Sequence, residues 1–367
     1  MFKSGIFAFL LFLGMSCLLQ RALAQAAPSS SPLSSEEINQ LQAKARAGDS
    51  AAQLALGKAY EDGNGMPQSD KQAVEWYKAA ADQGDATAQN SLGVIFSLGR
   101  GVQQDKHEAI RWYRKAAKQK SPNAMFNLGA AYYNGDGIGV DDTASYAWFL
   151  LAQSLGDPSA SDAVKRMTKR ATQQCKAFEE IGDMYQRGDD LPQSTSEAIK
   201  WYRKAAATGA PYDAASVRVK LAGLLLHDQS PTSNYAEARK LCEQAANLHY
   251  PAGAYCVGEL YEQGLGVPQD LSKAAKWFTE ATNMGHPGAA LRLGLMYWKG
   301  EGVRQDKISA YEFVYLASSS GLPEAKREKE RIEKELTAEE LEKGNAKAVE
   351  WTRRHVLVIK GQTLILH

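Results

Sequence analysis

"LALGKAYEDGNGMPQSDKQAVEWYKAAADQGD", residues 54–85, decides how this chain is read, because its features return at a fixed interval. Gly57, Gly93 and Gly129 are 36 residues apart, as are Trp76, Trp112 and Trp148. After breaks in phase, Ala222, Gly258 and Gly294 resume the spacing, with Leu241, Trp277 and Phe313 beside them. Gly182 and Trp201 keep the same internal offset of nineteen, giving seven units. A period of this size marks an array of small supersecondary units rather than one globular core.

Each column has a physical reason. Before the glycine stands Leu56, Leu92, Leu128, Ile181, Leu221, Val257 or Leu293, and four residues on comes Tyr60, Phe96, Tyr132, Tyr185, Leu225, Tyr261 or Tyr297. That spacing draws one apolar face on a first helix. The glycine disfavours a helix by about 1 kcal/mol, so it suits a place where two helices come too close for a side chain. Twelve residues after it stand Ser69, Asp105, Asp141, Ser194, Asn234, Asp270 and Asp306, each able to cap a second helix. That second helix is expected to bury the Trp/Leu/Phe column and, four residues later, an alanine in every copy, Ala80 to Ala317. Gly-x-Gly turns join the helices, except in units four and five, where Arg187-Gly188-Asp189-Asp190 and Leu226-His227-Asp228-Gln229 replace them.

A longer repetition overlies the short one: "SYAWFLLAQSLGDPSA" at 145–160 matches "AYEFVYLASSSGLPEA" at 310–325. A charged helix follows each, so three units and then four are expected, each group closed by a polar cap, as stacked repeats require. These columns resemble the Sel-1-like repeat family, relatives of the tetratricopeptide repeat. The family pattern A-x-x-x-L-G-x-x-Y-x-x-G-x-G-V, then A-x-x-W-Y-x-x-A-A, is matched by "AMFNLGAAYYNGDGIGV" at 124–140 and "AIRWYRKAAKQK" at 109–120. The resemblance implies an all-α, right-handed superhelical α/α solenoid of about seven 36-residue repeats.

The ends place the chain. Lys3, the apolar run Ile6 to Leu19 and the small residues of Ala22-Leu23-Ala24 read as a secretory signal with cleavage expected between Ala24 and Gln25, a retained anchor and a lipoprotein at Cys17 being the alternatives. Removing 1–24 takes away Lys3 and Arg21 and leaves 41 Lys+Arg against 42 Asp+Glu, a balance with no general pull toward nucleic acid or anionic membrane. A Pro/Ser-rich linker and the start of a helix fill 25–45, repeats occupy 46–156, a cap-like helix 157–176, repeats 177–321 and capping helices 322–351. The tail 352–367 is β-prone, with Lys360-Gly361-Gln362 as a hairpin turn. A bacterial periplasmic or secreted monomer, off the membrane after cleavage, is the expectation.

No catalytic signature is present: no G-x-S-x-G, no phosphate-binding glycine loop and no H-E-x-x-H. The six histidines have no ligand partner three or four residues away, so no metal or other cofactor is expected, and His249 and His286 fall at helix bends. "RWYRKAAK" at 111–118 mixes cations with aromatics, yet its tryptophan belongs to the buried column and its cations to a solvated face. "EAKREKERIEKE" at 324–335 reads as a solvated helix with i,i+4 pairs.

What remains is surface. In relatives the first helices line the concave side, and that resemblance implies a groove presenting Lys58, Val94, Asn127, Asn134, Glu180, Asp183, Arg187, Lys220, Glu259 and Arg292. These positions vary between copies while the core columns hold, as an irregular binding surface requires. The expected function is a non-enzymatic exported scaffold with a protein or peptide partner. A structural envelope component linked to peptidoglycan or polysaccharide export, and a weak β-lactam-binding or hydrolysing enzyme, are the other readings.

Cys242 and Cys256 stand seven residues either side of His249, at one height across an antiparallel helix pair. In an oxidising compartment that placement favours a disulfide, with two thiols or a metal or catalytic pair as alternatives. Cysteine-rich members of the family bridge the same helix pair, about one turn nearer the bend. Cys175 is expected to stay reduced.

Overall fold

The computed structural model describes residues 32–167, 171–227 and 233–359, and for 171, 172, 227, 233 and 356–359 the backbone alone. The expected signal and most of the linker lie outside the described residues. All secondary structure among the described residues is helical, in eighteen α-helices. The chain divides into two compact units, Met1–Ala198 and Ile199–His367.

The first unit opens with α1 (Ser35–Arg46) and continues with three hairpins. They pair α2 (Ser50–Asp62) with α3 (Asp70–Asp82), α4 (Ala86–Leu98) with α5 (Lys106–Lys118), and α6 (Pro122–Asn134) with α7 (Asp142–Ser154). Then come α8 (Pro158–Met167), α9 (Ala171–Arg187) and the start of α10 (Thr195–Thr208). The second unit holds the rest of α10 and pairs α11 (Ala215–His227) with α12 (Ser233–Ala246). Next are α13 (Pro251–Gln263) with α14 (Leu271–Asn283) and α15 (Pro287–Lys299) with α16 (Lys307–Ser319), closed by α17 (Pro323–Glu333) and α18 (Ala338–Ile359).

The periodic columns become the core. All seven residues preceding the repeat glycine are at most 1% exposed, and all seven alanines of the second helices are fully buried. Each first helix in the regular hairpins ends on a left-handed glycine, Gly63, Gly99, Gly135, Gly264 or Gly300, whose N–H donates back into the last turn. The capping residue of the second helix then donates its own N–H to the first helix, as Asp105 does to the Phe96 carbonyl at 2.9 Å. A glutamine column, unread in the sequence, adds a further tie: Gln68, Gln104, Gln193, Gln269 and Gln305 each donate to a carbonyl of the first helix at 2.8–3.0 Å. Six of the expected caps hold. The seventh, Asn234, lies inside α12, which starts at Ser233 after a connection outside the described residues.

The second glycine of the turn has its own reason. A Cβ on Gly137 would lie 2.4 Å from the Lys106 carbonyl oxygen, and one on Gly302 within 2.5 Å of the Leu271 carbonyl, so this turn meets the backbone of the preceding repeat. In unit four the first glycine survives as Gly188, with φ +75°, while Asp190 replaces the second and pairs with Arg114 at 3.2 Å.

Three readings of the chain's organisation change. The buried aromatic facing the glycine is the residue after the tryptophan column, Tyr77, Tyr113, Phe149 or Phe278, whereas Trp76, Trp277 and Phe313 are only half-buried. The insertion between repeats three and four is shared by α8 and the lengthened start of α9, and the unit boundary falls inside α10, leaving α9 with the first three repeats. At the far end, 352–359 continues α18 rather than opening a hairpin. Helix propagation adds a hydrogen bond per residue, and the Trp351 and His355 rings stack at 3.8 Å one turn apart. Residues 360–367 lie outside the described residues.

Candidate protein-binding surface

In the first unit, Lys58 and Asn134 are exposed on α2 and α6, and Val94 is half-buried on α4. Asn127 departs from the expected groove position: it is 6% exposed, and its Nδ2 donates to Asn90 Oδ1 of the preceding repeat at 2.9 Å. The two helices pack closely enough there to draw the amide inward. The cross-repeat theme continues with Arg100 on Glu61 at 2.5 Å and Lys106 on Asp136 at 2.5 Å. Glu61 also accepts from the Tyr77 hydroxyl at 2.6 Å, tying the buried aromatic to the surface pair.

On α9, Glu180 and Asp183 are half-buried and Arg187 is exposed, its Nε 2.9 Å from Asp189. Burial pushes the Glu180 carboxyl up to about 7, the Asp141 and Asp183 carboxylates adding to the rise and Arg187 opposing it. Glu180 is therefore a carboxyl that changes charge near neutral pH.

In the second unit, Lys220 is exposed with its ammonium 6.0 Å from the Tyr202 ring, and Glu259 and Arg292 are half-buried. Arg292 pairs with Glu262 of the preceding repeat. Tyr255 sits in the same group, its phenol raised by burial and by Glu259, its ring stacked on His286 at 4.4 Å. His286 caps α15 through Nδ1, which accepts from the Ala289 N–H at 3.1 Å, and burial lowers its pKa. His249 occupies the bend in the left-handed region, φ +54°, as Lys120 does with φ +61°, where Gly84, Gly156 and Gly285 stand in other copies.

Three of the four cations of 111–118 are engaged within the chain: Arg111 with Glu108, Arg114 with Asp190 and Lys115 over the Trp112 ring at 3.8 Å. Cys242 and Cys256 are joined as a disulfide, Cα atoms 5.7 Å apart, and Cys175 is buried on α9 apart from the bridge. Among the described residues no group of three or more His, Cys, Asp or Glu is placed to hold a metal ion, and no helix is long and apolar enough to cross a membrane.

Helical hairpins with a recurring apolar core and a variable polar face define an α/α repeat protein. The chain belongs to the Sel1 repeat family, whose repeat matches 50–85, 86–121, 122–157, 180–209, 219–250, 251–286 and 287–322. Sel1 repeat proteins are generally non-catalytic scaffolds for protein interaction. A Sel1 repeat protein from Oxalobacter formigenes is a similar solved structure, 29% identical, covering 83% of this chain and 95% of its own, with a TM-score of 0.34. A protective antigen of uropathogenic Escherichia coli strains with an SLR fold is 23% identical over 90% of this chain and 91% of its own, TM-score 0.36. No match was found among curated proteins.

Proposed function

We propose that this chain is an exported, non-enzymatic scaffold that holds a protein or peptide partner on the outward positions of its first helices. The observation that carries the reading is the contrast within each repeat. The Leu and Ala columns are buried in all seven copies, while the outward positions change from Lys58 to Val94 to Asp183 to Glu259. Cross-repeat pairs such as Glu61–Arg100 and Glu262–Arg292 hold side chains on the same surface, Arg292 among them, before any partner arrives. Less rotamer freedom is then lost on binding, and contacts add from repeat to repeat. Export is supported by the N-terminal sequence and by a disulfide suited to an oxidising compartment.

The test is affinity capture from bacterial envelope extracts with the tagged chain and with the Glu180→Gln/Asp183→Asn/Arg187→Ala variant. Specific protein partners that the variant loses support the scaffold. Partners held equally by both chains move the site off α9. Hydrolysis of a chromogenic lactam by the pure protein overturns the non-enzymatic reading.

A further inference from the structure

In five repeats the glycine of the first helix and the residue twenty positions later form a matched pair. A Cβ on Gly57, Gly93, Gly129, Gly258 or Gly294 would lie 2.4–2.8 Å from Tyr77, Tyr113, Phe149, Phe278 or Val314. The larger side chain fills the space the glycine leaves and joins the two helices of one hairpin. Repeat five changes both partners together, to Ala222 and Cys242, each fully buried. At these two positions repeat five carries no aromatic. Cys242 turns its sulfur to the following repeat and bonds Cys256 on α13, 5% exposed. Beside the bridge, a Cβ on Gly253 would lie 2.5 Å from the Ala246 nitrogen, so α12 and α13 are in backbone contact.

We infer that the Cys242–Cys256 disulfide, which ties α12 to the next repeat, offsets the small α11–α12 contact of repeat five, and that its reduction releases α11 and α12 while the other repeats stay folded. Repeat arrays allow this, because stability is a sum of each unit's own term and its neighbour contacts. The step balances: a dithiol supplies two electrons and two protons, becomes a disulfide itself, and leaves two thiols where the Sγ–Sγ bond was. Both sulfurs are buried, so the dithiol gains access only through local opening of the helix pair.

The test is peptide-resolved hydrogen exchange on the full chain, with and without dithiothreitol, and on the Cys242→Ser/Cys256→Ser variant. Amides of α11 and α12 should exchange on the order of a hundredfold faster once the bridge is absent. Those of α15 and α16 should not change. A second variant, Ala222→Gly/Cys242→Phe/Cys256→Ser, rebuilds the glycine–aromatic pair and should recover protection under reducing conditions. Exchange unchanged by reduction, or raised equally in every repeat, overturns the inference, and so does an open repeat five in the rebuilt variant.

Discussion

A Cβ placed on Gly93 would stand 2.4 Å from Cε1 of Tyr113, a ring that is 4% exposed. The glycine and the ring are two halves of one contact, repeated along the chain. The phenol is held well above its ordinary value, chiefly by burial.

That contact sets the first prediction. Gly93→Ala improves helix propensity by about 1 kcal/mol. It also forces the buried ring to move, and overpacking of this kind costs about 1–3 kcal/mol. Steric cost should win, lowering the thermal midpoint, and Tyr113→Leu in the same chain should restore part of it. An unchanged or raised midpoint for Gly93→Ala alone would show that the ring yields freely.

Glu180 predicts a pH dependence. Its folded pKa, about 7, lies above the ordinary 4.5, so between those values the folded chain binds more protons than the unfolded one. Stability should therefore rise as pH falls from about 7 toward 4.5, and the carboxylate should be destabilising above 7. Solvent screening of a half-exposed group limits the effect to about 1 kcal/mol. Urea midpoints between pH 8 and 5 should show this slope, and Glu180→Gln should remove it.

His286 predicts the opposite sign. Burial depresses its pKa below 6.5, so stability is lost as pH falls below about 6.5, where the unfolded chain takes up the proton first. Protonation also removes the Nδ1 acceptor that caps α15. His286→Asp replaces the capping nitrogen with a carboxylate oxygen, as Asp49 and Asp85 supply at the equivalent bends, and should abolish this acid-side loss in thermal melts. Persistence of the loss in that variant would assign it to another group.

The cysteines predict a labelling pattern. With iodoacetamide under native, non-reducing conditions, Cys175, Cys242 and Cys256 should all stay unmodified, because each is at most 5% exposed. In denaturant without reductant, mass spectrometry should find Cys175 alkylated and a bridged peptide holding Cys242 and Cys256. Alkylation of the latter two in that sample would reject the bridge.

Much of this was legible in the residues. The leucine and alanine columns, the capping aspartates and the turn glycines are local requirements that recur, so repetition amplifies a weak signal into a readable one. The glycine's partner was not legible as such. Trp112 and Tyr113 are neighbours, and only the helix crossing decides which of them meets Gly93. Asn127 likewise sits at a position whose equivalents Lys220 and Arg292 remain accessible, and contact with Asn90 turns it inward. The α9 carboxyls were noted as candidate contacts, but the rise at Glu180 depends on Asp141, thirty-nine residues away, and on burial.

By itself, the sequence determined the number of repeats, the two helices in each, where the regular ones start and stop, and the face that is buried, because these follow from backbone propensity, capping and amphipathic spacing within about 36 residues. The tertiary structure decided which aromatic fills each glycine gap, which polar residues cross from one repeat to the next, and that Cys242 bonds forward to Cys256. Those outcomes depend on ångström-scale distances between helices, and such distances arise only when neighbouring hairpins pack.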